Sequence, residues 1–231
     1  MVHGLEQAAL DALASGARVA AFEFENRKFW AKANTGSARN RRYYHNEINC
    51  LKAFFQAGIN VPELALVTER CFVTIDNGSE FETCIRAENL PVLLVKSAME
   101  AVVGLHRNGL SHGGLHMRNM TLDKSGNIGF LDLEKASGKP ATREAQGYDL
   151  VVFIWSLLSI DISRTDLSKA AKSVYLQKNG PAWEAAKLWC RQRKWMRIAA
   201  KPLAWHERRF KASGKYRRYA AVPAVLDFFE A

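Results

Sequence analysis

Residues 18–33 alternate aromatic and charged positions around a turn near Asn26, and this period of two is typical of a β-hairpin. Lys32 then lies near the end of the second strand. Two later stretches, residues 61–67 and 71–75, are also predicted to be strands. The first part of the chain therefore predicts a small antiparallel sheet.

One helix is predicted between these strands, with Gly58 as its cap. Its apolar face carries four residues at helical spacings: Tyr44, Ile48, Leu51 and Phe55. Glu47 lies beside this face, at its margin rather than fully in solvent. The helix is expected to pack against the sheet.

From the stretch 76–88 onward the periodicity is predominantly helical. Pro91 suits the first turn of a helix that ends at Gly109, and residues 148–160 are apolar nearly all round, as in a central buried helix. Two short strands form a hairpin inside the segment 110–134. The prediction is an α+β protein of two lobes, residues 1–80 with the sheet and residues 81–231 with most of the helices.

Composition narrows the class of protein. Hydrophobic residues make up 48% of the 231 positions, which is ample for the cores of two lobes. The four cysteines lie far apart without a Cys-x-x-Cys pair, so a disulfide framework and a zinc knuckle are disfavoured and a reducing, cytoplasmic location is expected. The longest apolar run, residues 150–158, is shorter than the roughly 20 residues that cross a bilayer, and the N-terminus does not resemble a secretion signal.

The chain is basic, with 33 Lys and Arg against 23 Asp and Glu and a net charge of +10. This balance predicts an anionic partner: nucleotide phosphate, anionic lipid, lipopolysaccharide or nucleic acid. Cations and tryptophans alternate in a tail at residues 183–218, which suits a peripheral membrane surface, a phosphorylated glycolipid or single-stranded nucleic acid. The alternative is a solvated helical face with its tryptophans packed inward. Arg39, Arg41 and Arg42 form a second cluster, near a nucleotide cleft or in solvent.

The segment 110–119 reads Leu-Ser-His-Gly-Gly-Leu-His-Met-Arg-Asn, and Asp132 follows in Phe-Leu-Asp-Leu-Glu. These motifs resemble the catalytic and metal-binding loops of the protein-kinase-like superfamily. They are most similar to a small bacterial branch, the lipopolysaccharide core and Kdo kinases, whose loop commonly reads His-Gly-Asp-Leu-His with Asn five positions after the Asp. Asn119 has that spacing, but Gly114 stands in place of the catalytic Asp. The resemblance implies a two-lobed protein-kinase-like fold.

The resemblance also implies roles for individual residues. Lys32 would pair with the phosphates of ATP, and Glu47 would hold that lysine in place. Asn119 and Asp132 would bind Mg²⁺, with Glu134 as a further metal contact. The alternatives are a surface lysine and glutamate, and a hairpin with polar ends.

Further residues of the loop have expected positions. Asp149 resembles the aspartate that accepts hydrogen bonds from the catalytic-loop backbone, although an acid near a helix N-terminus also satisfies amides there. His112 is expected to be structural. Three histidines, His106, His112 and His116, lack a suitably spaced fourth ligand, so zinc is disfavoured.

The chain departs from the kinase pattern in two places. No Gly-x-Gly-x-x-Gly run precedes Lys32, since the region near Gly16 contains only that glycine. At the position of the missing Asp, Gly114, the nearest replacement base is His116, which is better suited to stabilising charge than to removing a proton. A catalytic base is worth about 10²- to 10⁴-fold in rate, so transfer is expected to be impaired rather than abolished.

Two functions follow from these features. The first is an ATP- and Mg²⁺-dependent phosphotransferase resembling lipopolysaccharide kinases, acting at the inner membrane on a sugar or lipid-linked hydroxyl. The segment 135–147 lacks the Ala-Pro-Glu that anchors a peptide platform, which disfavours a protein substrate. The second is a pseudokinase that binds nucleotide or an envelope or protein partner without catalysis. Nucleic-acid binding through the tail ranks below both.

Overall fold

A four-stranded antiparallel sheet forms the smaller lobe of the computed structural model, which describes residues 2–87, 91–178, 180–210 and 218–230. Its strands, in the order β1-β2-β4-β3, are β1 (Val19–Phe24), β2 (Arg27–Ala33), β3 (Leu64–Val67) and β4 (Cys71–Ile75). The predicted hairpin at residues 18–33 is present as β1 and β2. Its turn residues, Glu25 and Asn26, have φ of 48° and 60°, which is the left-handed backbone that a two-residue hairpin turn requires.

The predicted helix on this sheet is α2 (Ala38–Gln56), and the Ser37 side chain caps it by accepting from the Asn40 amide. Tyr44, Ile48 and Leu51 are buried as predicted. The assignment of Phe55 to the apolar face is wrong, because Phe55 is 61% exposed and Phe54 is buried instead.

A second helix, α1 (Val2–Leu13), covers the other face of the sheet and adds to the one helix predicted for this lobe. It buries Ala9 against Phe29, Ala31 and Val73 of β2 and β4. The face of the two central strands that carries Phe29, Ala31 and Val73 is thus buried. This burial holds Lys32, which is on β2, in a rigid strand.

The part of the chain that follows β4 includes the larger lobe and is mainly helical, with short strands. Its elements are β5 (Ser79–Glu80), α3 (Phe81–Ala87), α4 (Pro91–Arg107), β6 (Met120–Leu122), β7 (Ile128–Phe130), α5 (Arg143–Ile160), α6 (Thr165–Gln177), α7 (Trp183–Gln192), α8 (Met196–Phe210) and α9 (Arg218–Glu230). The predicted helix start at Pro91 and the predicted hairpin of β6 and β7 are confirmed. Residues 76–78 connect β4 to β5, which pairs with β6. The lobe boundary between residues 80 and 81 stays a prediction.

The central helix of this lobe is α5, which is longer than the predicted stretch 148–160 and is capped by the Thr142 side chain. Its residues 149–154 are all buried, because α6, α7 and α9 pack around it. Because α5 is held on several sides, it is a fixed support for the loop at residues 110–119. Among the described residues, no helix combines the length and apolar character needed to cross a membrane.

Candidate active site

A cleft of about 490 Å³ lies between the two lobes. Apolar side chains form much of its wall, including Val19 and Phe72 of the sheet and Leu131, which immediately follows β7. Polar residues predicted from the sequence line the same cleft: Lys32, Glu47, Asn119 and Asp132. The fold therefore brings together four candidate residues that are spread over 101 positions of the chain.

Lys32 is the centre of the charged part of the cleft. Its Nζ atom lies 2.5 Å from Glu47 Oε2 and 2.9 Å from Asp132 Oδ1, and only 12% of its side chain is exposed. Burial acts to lower the pKa of Lys32, but Glu47 and Asp132 outweigh it and raise this pKa. Lys32 is therefore a fixed cation that reaches from the sheet to the floor of the cleft.

The two carboxylates respond to this environment differently. Burial raises the pKa of Glu47 to about 7, against the opposing effect of Lys32. Asp132 is more exposed to solvent, with 46% of its side chain accessible. Partial burial acts to raise the pKa of Asp132, but Lys32 outweighs it and lowers this pKa. Asp132 is thus an ionised carboxylate that faces the cleft, which is the state that a metal ligand needs.

Glu134 lies close to this group but is held from another side. Its carboxylate is 2.6 Å from the Arg18 guanidinium and 3.8 Å from Lys32 Nζ. Oxygen atoms of Glu47, Asp132 and Glu134 lie within 4.8 Å of one another. The predicted role of Glu134 as a metal contact stays a prediction, and its observed partner is Arg18. No local sequence signal pointed to Arg18, because 116 positions separate it from Glu134.

The loop that should carry the catalytic Asp is fixed by Asp149. This carboxylate is fully buried in α5 and accepts from the backbone amides of His112 and Gly113 at 2.7 and 2.8 Å. Asp149 lies two turns into α5, where Thr142 is the N-cap, so the alternative explanation as a helix-terminal acid is wrong. His112 is buried and its Nε2 lies 2.8 Å from the Leu131 carbonyl oxygen, which agrees with a structural role.

Asn119 is oriented by the same loop. The side-chain Nδ2 atom of Asn119 donates to the Gly114 carbonyl oxygen at 3.0 Å. The backbone carbonyl oxygen of Asn119 accepts from the backbone amide of Leu131, the neighbour of Asp132. Because the side-chain nitrogen is used, the Oδ1 atom is the group left for a cation. Asn119 Oδ1 and the Asp132 carboxylate are hard oxygen donors on one cleft, and this donor set fits Mg²⁺.

The sequence of the chain matches a known protein family. A family model described as the lipopolysaccharide kinase (Kdo/WaaP) family matches residues 34–175. The chain belongs to this family. The match includes Glu47, Gly114, Asn119 and Asp132, and it begins two positions after Lys32.

One protein that is similar to this chain is an uncharacterized protein of Haemophilus influenzae. It is 24% identical over 203 residues, which cover 81% of this chain and 84% of the relative. The predicted membership of the lipopolysaccharide kinase family and the predicted two-lobed protein-kinase-like fold are confirmed.

The two neighbouring glycines of this kinase-family loop differ in what they tolerate. Gly113 has φ of +75°, and a Cβ atom there would lie 2.2 Å from the Lys135 carbonyl oxygen. Gly114 does not have a left-handed φ, and a Cβ atom there would meet nothing within 4 Å. Only Gly113 is needed for the backbone. At Gly114 the space that a side chain would occupy is open, and the backbone conformation is one that other residues also adopt.

His116 does not line the cleft among the described residues. Its ring lies 6.4 Å from the ring of Trp155 on α5, and its backbone amide donates to the Gly114 carbonyl oxygen. Its proposed catalytic role stays a prediction. The expected glycine-rich run is also absent between the first two strands, since β1 and β2 are joined by the tight turn at Glu25 and Asn26.

Proposed function

We propose that this member of the lipopolysaccharide kinase family transfers a phosphoryl group from ATP, with Mg²⁺, to a sugar hydroxyl of an anionic or lipid-linked acceptor. One observation carries the proposal: Lys32 is held by Glu47 and Asp132 in a cleft that Asn119 also lines. A phosphoryl-transfer site works mainly by positioning and by charge neutralisation, and these are the groups that supply both.

Each residue has a distinct part in this proposal. Lys32 binds and orients the nucleotide phosphates, and Glu47 prevents its side chain from swinging out of the cleft. Asp132 and Asn119 hold Mg²⁺, which supplies neutralisation of the phosphate charge when it is bound. The chain lacks a base at Gly114, so the proton of the acceptor hydroxyl passes to water or to an oxygen of the transferred phosphoryl group instead of to the usual carboxylate. We expect slow transfer for that reason.

A groove beside the cleft supports an anionic acceptor. This acceptor groove, of about 730 Å³, lies between the start of α2 and the segment 134–136, and its lining is Ala38, Arg39, Arg42, Tyr43, Asn46, Glu134, Lys135 and Ala136. Arg39, Arg42 and Lys135 are exposed and offer positive charge next to Glu134. Asn46 fixes the far wall by donating to the carbonyl oxygens of Glu134 and Ala136. An acceptor whose phosphate or carboxylate binds these cations would have its hydroxyls near the cleft.

The nucleotide part of the proposal is tested by thermal unfolding with ATP, with and without Mg²⁺. A ligand at 100 times its Kd stabilises a protein by about 2.7 kcal/mol, which corresponds to a rise in Tm of roughly 5–10 °C for a chain of this size. We expect this rise to require Mg²⁺, and to be lost in Asp132→Ala. Asp166→Ala is the matched control, because Asp166 is exposed and pairs with Arg164 away from the cleft. Equal shifts in both variants would refute the metal assignment.

The acceptor part is tested by transfer from γ-labelled ATP to dephosphorylated lipopolysaccharide. The double variant Arg39→Ala and Arg42→Ala should raise the KM for the acceptor, with no effect on the Mg²⁺-dependent nucleotide shift. Arg41→Ala is the control, since Arg41 is exposed on the same helix turn but is not among the residues that line the groove. If Arg41→Ala has the same effect as the double variant, the charge matters and the groove does not.

A pseudokinase is the second candidate, and Gly114 together with the missing glycine-rich run favours it. In that case Mg²⁺ and ATP would still raise the Tm, but no label would reach any acceptor at the highest enzyme concentration. The two candidates therefore share the nucleotide test and differ in the transfer test. The cytoplasmic location expected from the sequence stays a prediction in both.

A further inference from the structure

The four tryptophans of the basic tail divide into two pairs. Trp183 is 7% exposed and packs against Phe229 with ring centroids 4.9 Å apart, and Trp189 packs between Tyr148 and Arg193. Trp195 and Trp205 are 64% and 61% exposed. Inward packing, one of the alternatives for this tail, thus explains the first pair and leaves the second pair on the surface.

The exposed pair belongs to one stripe along α8. Trp195, which immediately precedes the helix, is followed at spacings of three, four and three by Ile198, Pro202 and Trp205. Ile198 is 73% exposed, and Pro202 is also exposed. Residues at these spacings share one side of a helix. A surface helix normally turns its apolar side toward the core, and α8 instead has a second apolar side toward solvent.

The inward side of α8 uses polar contacts as well as small apolar residues. Ala200 and Glu207 are buried there, and Glu207 accepts from the backbone amide of Tyr219 on α9 at 3.0 Å. Arg197 pairs with Asp227 and Glu230, which are also on α9. The carboxylates of this region are therefore committed to the contact between α8 and α9.

Cations border the outward stripe. Lys201 is exposed beside Ile198 and Trp205 on the helical wheel, and the Arg209 guanidinium lies 5.8 Å from the ring centroid of Trp205. We call the outward side the α8 face, and it consists of Trp195, Ile198, Lys201, Pro202, Trp205 and Arg209. It combines apolar side chains, a tryptophan toward each end and positive charge, which are the features of a helix that lies in a bilayer interface.

We propose that the α8 face binds the surface of a bilayer that contains anionic lipid, with α8 parallel to the membrane plane. The tryptophan rings and Ile198 enter the boundary of the headgroups, and Lys201 and Arg209 contact lipid phosphate. A second copy of the chain is a poorer occupant, because it would bring the cations of two α8 faces together. The inference is independent of phosphoryl transfer and would hold equally for a pseudokinase.

The test is co-sedimentation of the full chain with vesicles of phosphatidylcholine alone and of phosphatidylcholine with phosphatidylglycerol at a ratio of about 3:1. We expect binding only to the anionic vesicles, with weaker binding as the salt concentration rises. Replacing Lys201 by Ser should lower the partition coefficient about fivefold, which is the equivalent of about 1 kcal/mol per basic residue. The double variant Trp195→Ser and Trp205→Ser should lower it at least tenfold.

Phe55→Ser is the matched control, because Phe55 is an aromatic residue that is 61% exposed on α2, outside the α8 face. It should bind vesicles like the unmodified protein. Near-ultraviolet circular dichroism and the Tm show whether each variant is folded, and all substituted side chains are on the surface. The proposal is overturned if the double tryptophan variant sediments like the unmodified chain, if neutral vesicles bind as well as anionic ones, or if the chain does not sediment with vesicles. A dimer in sedimentation velocity that the tryptophan substitutions dissolve would assign the face to a second copy instead.

Discussion

Restoring the missing carboxylate with Gly114→Asp is the most direct test of what the cleft does. The position accepts a side chain without strain, because its φ is not left-handed and an added Cβ meets nothing within 4 Å. The loop around it is already held by Asp149 and by the Asn119 side chain. We therefore expect the change in the free energy of unfolding to stay within about 1 kcal/mol.

The expected gain in rate is much larger than this cost. A positioned general base is worth about 10²- to 10⁴-fold, which is a reduction of the activation free energy by roughly 3–5 kcal/mol. Lys32, Asp132 and Asn119 line one cleft, where the proposed function has them hold the nucleotide and the metal, and the new carboxylate would complete that proposed site. We expect at least a 100-fold increase in kcat if transfer is the native task.

The assay is transfer of label from γ-labelled ATP to dephosphorylated lipopolysaccharide, with ATP hydrolysis as a second readout. Gly114→Asn is the matched control, because it has the shape of Asp but cannot act as a base at neutral pH. Gly113→Ala checks the structural argument, since its φ of +75° and a contact of 2.2 Å to the Lys135 carbonyl oxygen should cost more than about 2 kcal/mol of stability. If Gly114→Asp folds, binds Mg²⁺ and ATP, and yet is no faster than Gly114→Asn, the missing base is not what limits this protein.

Three further changes test the supports of the site. Asp149→Asn should lower the free energy of unfolding in urea by about 2–3 kcal/mol, because the side-chain NH₂ group would then face a buried backbone N–H. The control Asp166→Asn, on the surface, should lower it by less than about 1 kcal/mol. Burial lowers the pKa of His112, so the unfolded state takes up a proton that the folded state refuses, and the contribution of this histidine to stability falls below about pH 6.5 by up to about 1.4 kcal/mol per pH unit. The free energy of unfolding of the unmodified protein relative to His112→Gln, which can still donate to Leu131, should therefore fall between pH 7.5 and pH 5.5 in urea, and a difference that does not change with pH would contradict this. Lys32→Met should lower the free energy of unfolding by about 3–5 kcal/mol, because it leaves Glu47 buried without its partner. The double variant Lys32→Met and Glu47→Leu should recover most of this stability. Neither variant should bind Mg²⁺ and ATP.

Much of this fold could be predicted because its signals are local. The hairpin around Asn26, the start of α4 at Pro91 and the hairpin between Asn119 and Asp132 each follow from a few adjacent residues. The candidate site residues could be predicted from motif spacing, and the cleft brings Lys32 and Glu47 together with the later loop.

What failed depended on contacts between distant segments. Phe54 and Phe55 are adjacent near the end of α2, and only the packing of the two lobes decides that Phe54 is buried and Phe55 is exposed. The pairing of Arg18 with Glu134 joins residues that have no relation in sequence. Trp183 packs against α9 and Trp189 against Tyr148 of α5, and periodicity alone does not specify where these helices lie.

The ion pair of Lys32 and Glu47 is better explained by function than by stability. Both side chains are nearly buried, and burial raises the pKa of Glu47 to about 7, so the environment opposes its charge. Removing two charges from water costs several kcal/mol each, and well-packed apolar replacements of buried pairs are often neutral or stabilising. The pair is connected to Asp132, which faces the cleft as an ionised carboxylate. A chain that needed only the fold could bury apolar residues at these positions, so the two charges support the proposal that the cleft binds a phosphate, whatever rate Gly114 allows.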